Sequence, residues 1–567
     1  MACPDLGRYN LRFRHRFVKM VLSERDRYPA WRVIMRWFSA SFESVRHRLP
    51  IRAAGVSAAI ALSRVAGYIR DQVLARYLGT THEADAFNIA FTLPNTLRLL
   101  FGEGAMANAF VRKYTEWRTH THGAREWELP QKFMTDLILV MACVVLIGEL
   151  LAPWIIPILA PGFQTVPGKL EWTIFLYRWM VPFAALISLA ALSAAILNTH
   201  KVFAWPQAMP IVFNLTIIVG ALAFARHVPH PSLVFAIAVV VGGGLQWMLQ
   251  MPPIWKRGFR FQWRPDFRDP TVQRVFRDMV PGFVGTGILH FNLVVGQIYA
   301  SLLAEGTVAA LYFAIRVREL TIGVIAVAFA DILLAHLSEY AVRADWHRFR
   351  HTLSDALVWV AAWNSAAALG LMWLSEPIMH ALFEYGRFDV TSRHMAASAL
   401  FWFALSVPAY SLGRVLEKSF YSVNEVWIPI RPAFYAMCAY ILALIHLAPR
   451  YAIAGIAMSS AIASWVRLTG LVGLYLYRFR RFAWGVLLRG VWAIPAGLSA
   501  MVGVLWLIDR YRPYPFTGTF PARIAHLGIY IIPAALAFWC GFALIYRFMR
   551  RRDPDPSPSV DAAHSRQ

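Results

Sequence analysis

The sequence predicts an all-α integral membrane protein, and three observations carry that prediction. Of 567 residues, 58% are hydrophobic and only 16% charged, against about 25% charged in soluble domains. The apolar residues fall in blocks of roughly 20 or more, long enough for helices that cross about 30 Å of hydrocarbon. Those blocks do not alternate as barrel strands would, and a lipid-exposed backbone that is not a closed barrel satisfies its own hydrogen bonds as helix.

Fourteen candidate spans can be marked, near 53–79, 84–111, 133–159, 171–197, 203–225, 231–255, 278–304, 306–336, 352–382, 394–421, 427–447, 451–477, 484–508 and 524–547. Pro94, Pro182, Pro210, Pro281 and Pro408 fall inside spans, where each frees a carbonyl and bends the helix. The longest basic loop separates spans six and seven. A faint repeat supports a division there: 75–88 resembles 300–313, offset by 225 residues. The expected organisation is a basic cytoplasmic extension (1–50), a six-span lobe (51–256) and a basic linker (257–277), then a second six-span lobe (278–480), two extra spans (481–548) and a cytoplasmic disordered tail (549–567). Two six-helix lobes facing one another suit an alternating-access carrier.

A net charge of +24 raises the question of nucleic acid, and position answers it. Lys and Arg concentrate in the first 50 residues and in alternate loops. These hold Arg112, Lys113, Arg118, Arg125 and Lys132, then the cluster from Lys256 to Arg277, then Arg343, Arg348 and Arg350. Arg478, Arg480, Arg481, Arg547, Arg550, Arg551 and Arg552 complete the set. The loops at 79–84 and 304–307 hold none; the loop at 509–523 is the main exception, with Arg510, Arg512 and Arg523. The positive-inside rule then places both termini in the cytoplasm. Residues 1–50 lack the apolar core of a signal peptide. They read as an extension with a short helix on anionic lipid, or as sequence upstream of the true start. The four cysteines are far apart and show no metal-ligand spacing.

Several charges fall inside spans, where an arginine costs at least ~2.5–3.5 kcal/mol and normally faces a cavity. Span one carries Arg64, Arg70 and Asp71; span two carries Asp85, Arg98 and Glu103; span eight carries Arg316, Arg318 and Glu319. At ~1.5 Å per residue, Arg64 lies about 18 Å from the inner end of its span, and Arg98 and Arg316 about 21 and about 15 Å from the outer ends of theirs. All three converge near the midplane, with Arg70 nearer the periplasmic half. Two readings compete. Pairing would neutralise Arg64 with Asp71, Arg70 with Glu103 and Arg318 with Glu319. It leaves a surplus, because Arg64, Arg70, Arg76, Arg98, Arg316 and Arg318 face only Asp71, Asp85, Glu103 and Glu319. Guanidinium groups bind phosphate bidentately and stay charged inside a protein, so the surplus suits a diphosphate. Asp85 opens span two, where a carboxylate caps the helix or serves as a gate on the outer side. Arg414, Glu417 and Lys418, near the inner end of span ten, read as side chains snorkelling to the interface.

No phosphate-binding loop of the G-x-x-x-x-G-K-[ST] type occurs, and His82-Glu83 is not followed by a second metal-binding histidine. No nucleophile triad or paired-carboxylate constellation stands out. The expectation is a carrier rather than an enzyme, with no cofactor and no metal. Uphill transport would draw on the membrane potential or an ion gradient, worth about 2.3 kcal/mol per charge per 100 mV.

The residues of span one and its neighbours resemble the MurJ (MviN) family of lipid II flippases. The resemblance is carried by the runs 63–71, 78–79, 84–87 and 93–98, which include Arg64, Arg70, Asp71, Asp85 and Arg98, and by 101–105 and 109–111. Leu197-Asn198-Thr199 with Phe203, Pro206, Pro210 and Asn214 also fits, as does 382–388. It covers roughly 51–480. What it implies is a 14-helix fold of the multidrug/oligosaccharidyl-lipid/polysaccharide exporter superfamily, with two six-helix lobes around a central cationic cavity and two extra C-terminal helices. On these matched positions the diphosphate of lipid II would bind Arg64, Arg70, Arg98 and Arg316, with Asp71, Asp85, Glu103 and Glu319 as gating or charge partners. The implied protein is a multi-pass protein of the bacterial inner membrane that moves lipid II from the cytoplasmic to the periplasmic leaflet. Its partners would be lipid II, membrane lipids and the cell-wall synthesis machinery, with no nucleic acid. Another polyprenyl-linked glycan is the alternative cargo; a polyprenyl-phosphate-processing enzyme would need acidic metal-binding motifs that are not evident. Departures cluster in the second lobe: Ile315 stands where the family has Asp, Thr321 and Ala335 where it has Pro, Asp331 is an unusual acid, and Leu99 replaces a common Arg.

Overall fold

The computed structural model describes residues 51–552, apart from 103, 104, 122 and 426. Helix α1 (Ile51–Leu78) opens it, and the chain divides into two units, 1–58 and 59–567. Of the first unit only 51–58 are described, so the basic extension lies outside the described residues. No strand occurs among the described residues.

After α1 come α2 (His82–Gly102), α3 (Ala105–His120) and α4 (Glu128–Leu159). Span four is broken into α5 (Lys169–Met180) and α6 (Pro182–Thr199), because Pro182 has no amide to continue the ladder beyond Val181. α7 (Ala204–Phe224), α8 (Pro231–Met248) and the short α9 (Met251–Trp255) complete the first group. α10 (Pro270–Ser301) is capped by the Asp269 carboxylate, which accepts from the amides of Thr271 and Val272; it packs first on α3 and then on helices of the second group.

That group holds α11 (Thr307–Val342), α12 (Trp346–Trp373), α13 (Ser375–Phe383), α14 (Val390–Ala404) and α15 (Ser406–Tyr421). α14 and α15 meet at a 43° bend, just ahead of Pro408. Spans eleven and twelve appear as α16 (Ile430–Phe479), whose hydrogen-bonded run hides a reversal at Ala452, with φ 48 and ψ −127. α17 (Trp484–Tyr511) and α18 (Phe520–Arg552) pack extensively on each other and against α12. α11 runs 36 residues without an internal proline, with Thr321 inside it.

Eight helical stretches among the described residues are long and apolar enough to cross a membrane, and nine if α14 and α15 count as one bent span. The chain is therefore a multi-pass membrane protein, and the expected count of 14 is met only in part. The helices outside this set include α1, α2 and α11, which carry the charges discussed above.

Apolar packing differs between the two ends. At the end that the loop charges assign to the periplasm, called outer, one cluster holds Leu78, Ala86, Phe87 and Phe163 together with Ala309, Phe313, Phe383 and Phe388. It therefore draws on both helix groups. At the inner end the groups keep separate cores: Phe110, Phe133, Leu192 and Val275 in one, Leu337, Phe349, Phe420 and Tyr475 in the other. Burial of apolar surface at ~25 cal/mol per Å² thus joins α11, α13 and α14 to the first group at the outer end, while at the inner end it is α10 that packs into the first group's core.

Candidate functional site

α1 ends at Gly79, whose amide returns to the Ala75 carbonyl at 2.9 Å and whose φ of +58 suits a residue without Cβ. The tight turn brings Asp85, 1% exposed, to face the second helix group. Its carboxylate accepts from the backbone amides of Gly306 at 2.8 Å and Ala309 at 3.0 Å and pairs with Lys169 at 2.9 Å. Gly306 precedes α11 and offers no side chain to cap it. Asp85 therefore caps a helix of the opposite group, satisfying orphan amides and the positive end of that dipole from across the interface. Asp85 lies in the first turn of α2 as expected, but the amides its carboxylate accepts from belong to the start of α11.

Further bonds close the same face. Thr80 Oγ1 and Ser392 Oγ lie 2.6 Å apart, the Arg387 amide donates to the Arg76 carbonyl at 3.0 Å, and the Gln72 amide side chain donates to the Leu382 carbonyl at 3.0 Å. Backbones approach closely here. A Cβ on Gly162 would overlap the Ser301 carbonyl, and one on Gly306 the Thr80 carbonyl.

Deeper in, Asp71 gathers charges from both groups. Its Oδ1 accepts from Arg70 Nε at 3.1 Å and Nη2 at 2.7 Å, and from the Tyr312 hydroxyl at 2.9 Å. Its other oxygen is 3.9 Å from Arg316 Nε. Arg70 Nη1 donates to Asn214 at 3.1 Å; Arg316 stacks over the Tyr312 ring at 4.8 Å and pairs with Glu319 at 3.2 Å. Arg70, Asp71, Arg316 and Glu319 are thus one network spanning the interface, with more guanidinium than carboxylate close at hand: Arg70 and Arg316 share Asp71, and Glu319 is 46% exposed at its side chain.

The other predicted residues sit apart from it. Arg98 is half-buried and donates to Asn95 at 2.9 Å. Arg64 is exposed and makes no ion pair among the described residues. Glu103 lies outside the described residues, as do the side chains of Leu99 and Asp331. Two expected pairings are corrected. Asp71 binds Arg70 rather than Arg64, and Glu319 binds Arg316 rather than Arg318. Arg318 instead reaches Ser460 at 3.4 Å and lies over the Phe403 ring at 4.7 Å. Glu417 does not snorkel: it is 7% exposed and paired with Arg467 of α16. Tyr312 and Lys169 were not legible as site residues, although each is a polar side chain at the edge of an apolar block. An apolar cavity of about 260 Å³, lined by Met141, Pro182 and Leu186 among others, includes none of the arginines.

Fold and charges together define a polytopic helical membrane protein with a cationic network where two helix groups meet. The chain belongs to the MurJ family of lipid II flippases: the family model described as lipid II flippase MurJ matches residues 74–526. The lipid II flippase MurJ of Burkholderia cenocepacia is 30% identical over 413 residues, covering 72% of this chain and 80% of that protein. A "Probable lipid II flippase MurJ" of Rhizobium tropici is 30% identical over 521 residues, covering 88% and 97%. Among solved structures, a lipid II flippase MurJ in an inward closed conformation matches with TM-score 0.72 at 24% identity, over 87% of this chain and 99% of that one. An inward-facing multidrug resistance MATE family transporter of the MOP superfamily matches with TM-score 0.57 at 14% identity, over 73% and 95%. These likenesses at low identity establish the fold. As a family member the chain is a multi-pass inner-membrane protein of peptidoglycan precursor transport.

Proposed function

We propose that this protein carries lipid II, an undecaprenyl-diphosphate-linked saccharide-peptide, from the cytoplasmic to the periplasmic leaflet by alternating access, without catalysing a covalent step. The observation that carries the reading is that Arg70 and Arg316, from opposing helix groups, converge on the single carboxylate of Asp71. A diphosphate entering between the groups supplies the counter-charge that Asp71 alone does not, and bidentate guanidinium contacts suit its oxygens. The separate inner-end cores and the shared outer cluster support an inward-facing state, with both termini in the cytoplasm. The bonds from the Gly306 and Ala309 amides to Asp85, which Lys169 of the same group steadies, close the outer end in that state, and release of the α11 amides opens it. Arg64 and Arg98 would meet the head group as it enters. The membrane potential or an ion gradient supplies the drive.

Depleting the protein in cells with no second flippase, and measuring lipid II exposed to the periplasm, tests the reading. Exposure falls severalfold if it is right; unchanged exposure overturns it. Arg316→Ala and Arg98→Ala should each fail to restore growth while still inserting into the membrane.

A further inference from the structure

A second concentration of guanidinium groups lies inside the second helix group, away from the Asp71 network. Glu417 projects from α15 and is paired with Arg467 of α16. Arg414 sits one turn earlier on the same face of α15, since residues three apart on a helix are neighbours. Tyr410 is a further turn back, and the Arg467 guanidinium stands 6.0 Å from its ring centroid. Tyr421 closes the row and lies within electrostatic reach of Arg414, Glu417 and Arg467. Arg318 reaches toward the same helices from α11, through Ser460 of α16 and Phe403 of α14.

Charge does not balance here. Among the described residues Arg414 and Arg467 face one carboxylate, Glu417, Arg318 has only Glu319, which is shared with Arg316, and Lys418 has a partner of its own. Arg414 makes no hydrogen bond or ion pair among the described residues, yet its Nε is buried; the Nε atoms of Arg318 and Arg467 are likewise buried without an acceptor. An unpaired buried charge normally costs several kcal/mol and is retained where something neutralises it. Arg414 is half-buried, and the helix that bears it packs against α11, α12 and α16.

We propose that Arg414 and Arg467, backed by Arg318, form an anion site in the second helix group that takes a phosphoryl group. Guanidinium forks on neighbouring helices match the tetrahedral oxygens of a phosphomonoester or phosphodiester, and Tyr410 and Tyr421 add hydroxyl donors at the rim. The phosphoryl comes from free phosphate or from an anionic lipid head group. The site is separate from the Asp71 network, so it does not rest on what the protein transports.

The test uses the full-length protein in a neutral detergent, with its unfolding midpoint followed by tryptophan fluorescence. Sodium phosphate is titrated against sodium chloride at equal ionic strength, and short-chain phosphatidylglycerol against phosphatidylcholine. Because the Asp71 network is itself proposed to take a diphosphate, Arg414→Gln is compared alone and in an Arg316→Gln background. A saturable rise in midpoint should persist in Arg316→Gln and weaken at least tenfold when Arg414→Gln is added. Arg414 has no partner to strand, so this variant keeps the fold; the pair R467Q/E417Q, which removes both members of the ion pair, should weaken binding equally. Response to phosphate assigns a soluble anion, and response to phosphatidylglycerol alone assigns a lipid head group; both support the site. Response to neither, or an Arg414→Gln double variant that matches its Arg316→Gln parent, overturns it.

Discussion

The Tyr312 hydroxyl donates to the Asp71 carboxylate at 2.9 Å, tying α11 to α1 across the interface on which Arg70 and Arg316 also converge. Removing either end has unequal consequences. Tyr312→Phe deletes one neutral donor, worth about 0.5–1.5 kcal/mol, and leaves Asp71 with its arginines. Asp71→Asn takes from Arg70 its carboxylate partner and leaves Arg316 with Glu319 alone, a loss of up to about 3–5 kcal/mol for a broken buried pair. Purified Asp71→Asn should therefore unfold several degrees below Tyr312→Phe, and only Asp71→Asn should fail to support growth. Equal unfolding midpoints would mean that the carboxylate is not the hub.

Thr80 and Ser392 offer a direct probe of closure at the outer end. Their hydroxyl oxygens are 2.6 Å apart, which puts the β-carbons within reach of a disulfide. T80C/S392C should form the crosslink in membranes under oxidising conditions and lose lipid II exposure, with both effects reversed by reductant. A crosslinked protein that still supports full exposure would show that this face does not open during transport.

How far the sequence revealed this arrangement depends on whether a feature is local or assembled. The helical membrane fold was legible because apolar block length is a local property. The bends at Pro182 and Pro408 were legible for the same reason. Arg70, Asp71 and Arg316 were singled out by their cost in a span, which burial between helices now explains. Their partners were not, because Tyr312 and Lys169 meet Asp71 and Asp85 only after helices far apart in sequence pack together. Glu417 was misread as interfacial, since nothing near it in the chain announces Arg467, fifty residues on. The Asp85 cap was only half legible: a carboxylate opening a helix looks like its own cap, and only the packed structure shows it capping α11.

His200, between α6 and α7, provides a pH-dependent element at the inner end. Its ring stacks on Trp127 with centroids 4.9 Å apart and shares a 3.1 Å hydrogen bond with the Tyr114 hydroxyl. Burial, reinforced by Arg118 nearby, pushes its pKa down to about 4. The unfolded chain, titrating near 6.5, then binds more protons than the folded one between those values. Stability should fall as pH drops from about 6.5 toward about 4, and hold above that range. His200→Phe, which keeps the stacking but cannot charge, should show a flatter midpoint-against-pH curve. An unchanged slope would place the acid sensitivity elsewhere.

Gly162 separates steric closure from backbone strain. Gly306 also touches the opposite group, but its φ of +83 means that any substitution there strains the chain as well as filling space. Gly162 has no such φ, so Gly162→Ala adds one methyl group and little else, and that methyl would overlap the Ser301 carbonyl. Gly162 belongs to the loop after α4 and Ser301 ends α10, so in the proposed alternating-access cycle the overlap arises when the outer face is shut. Gly162→Ala should therefore insert normally yet shift the protein away from the closed outer face. A cysteine placed at Leu302 should then react faster with a membrane-impermeant thiol reagent from the periplasm than in the Gly162 parent, and lipid II exposure should fall. Faster labelling with full exposure would mean that closure of this face is dispensable; unchanged labelling would mean that the loop yields to the methyl without opening.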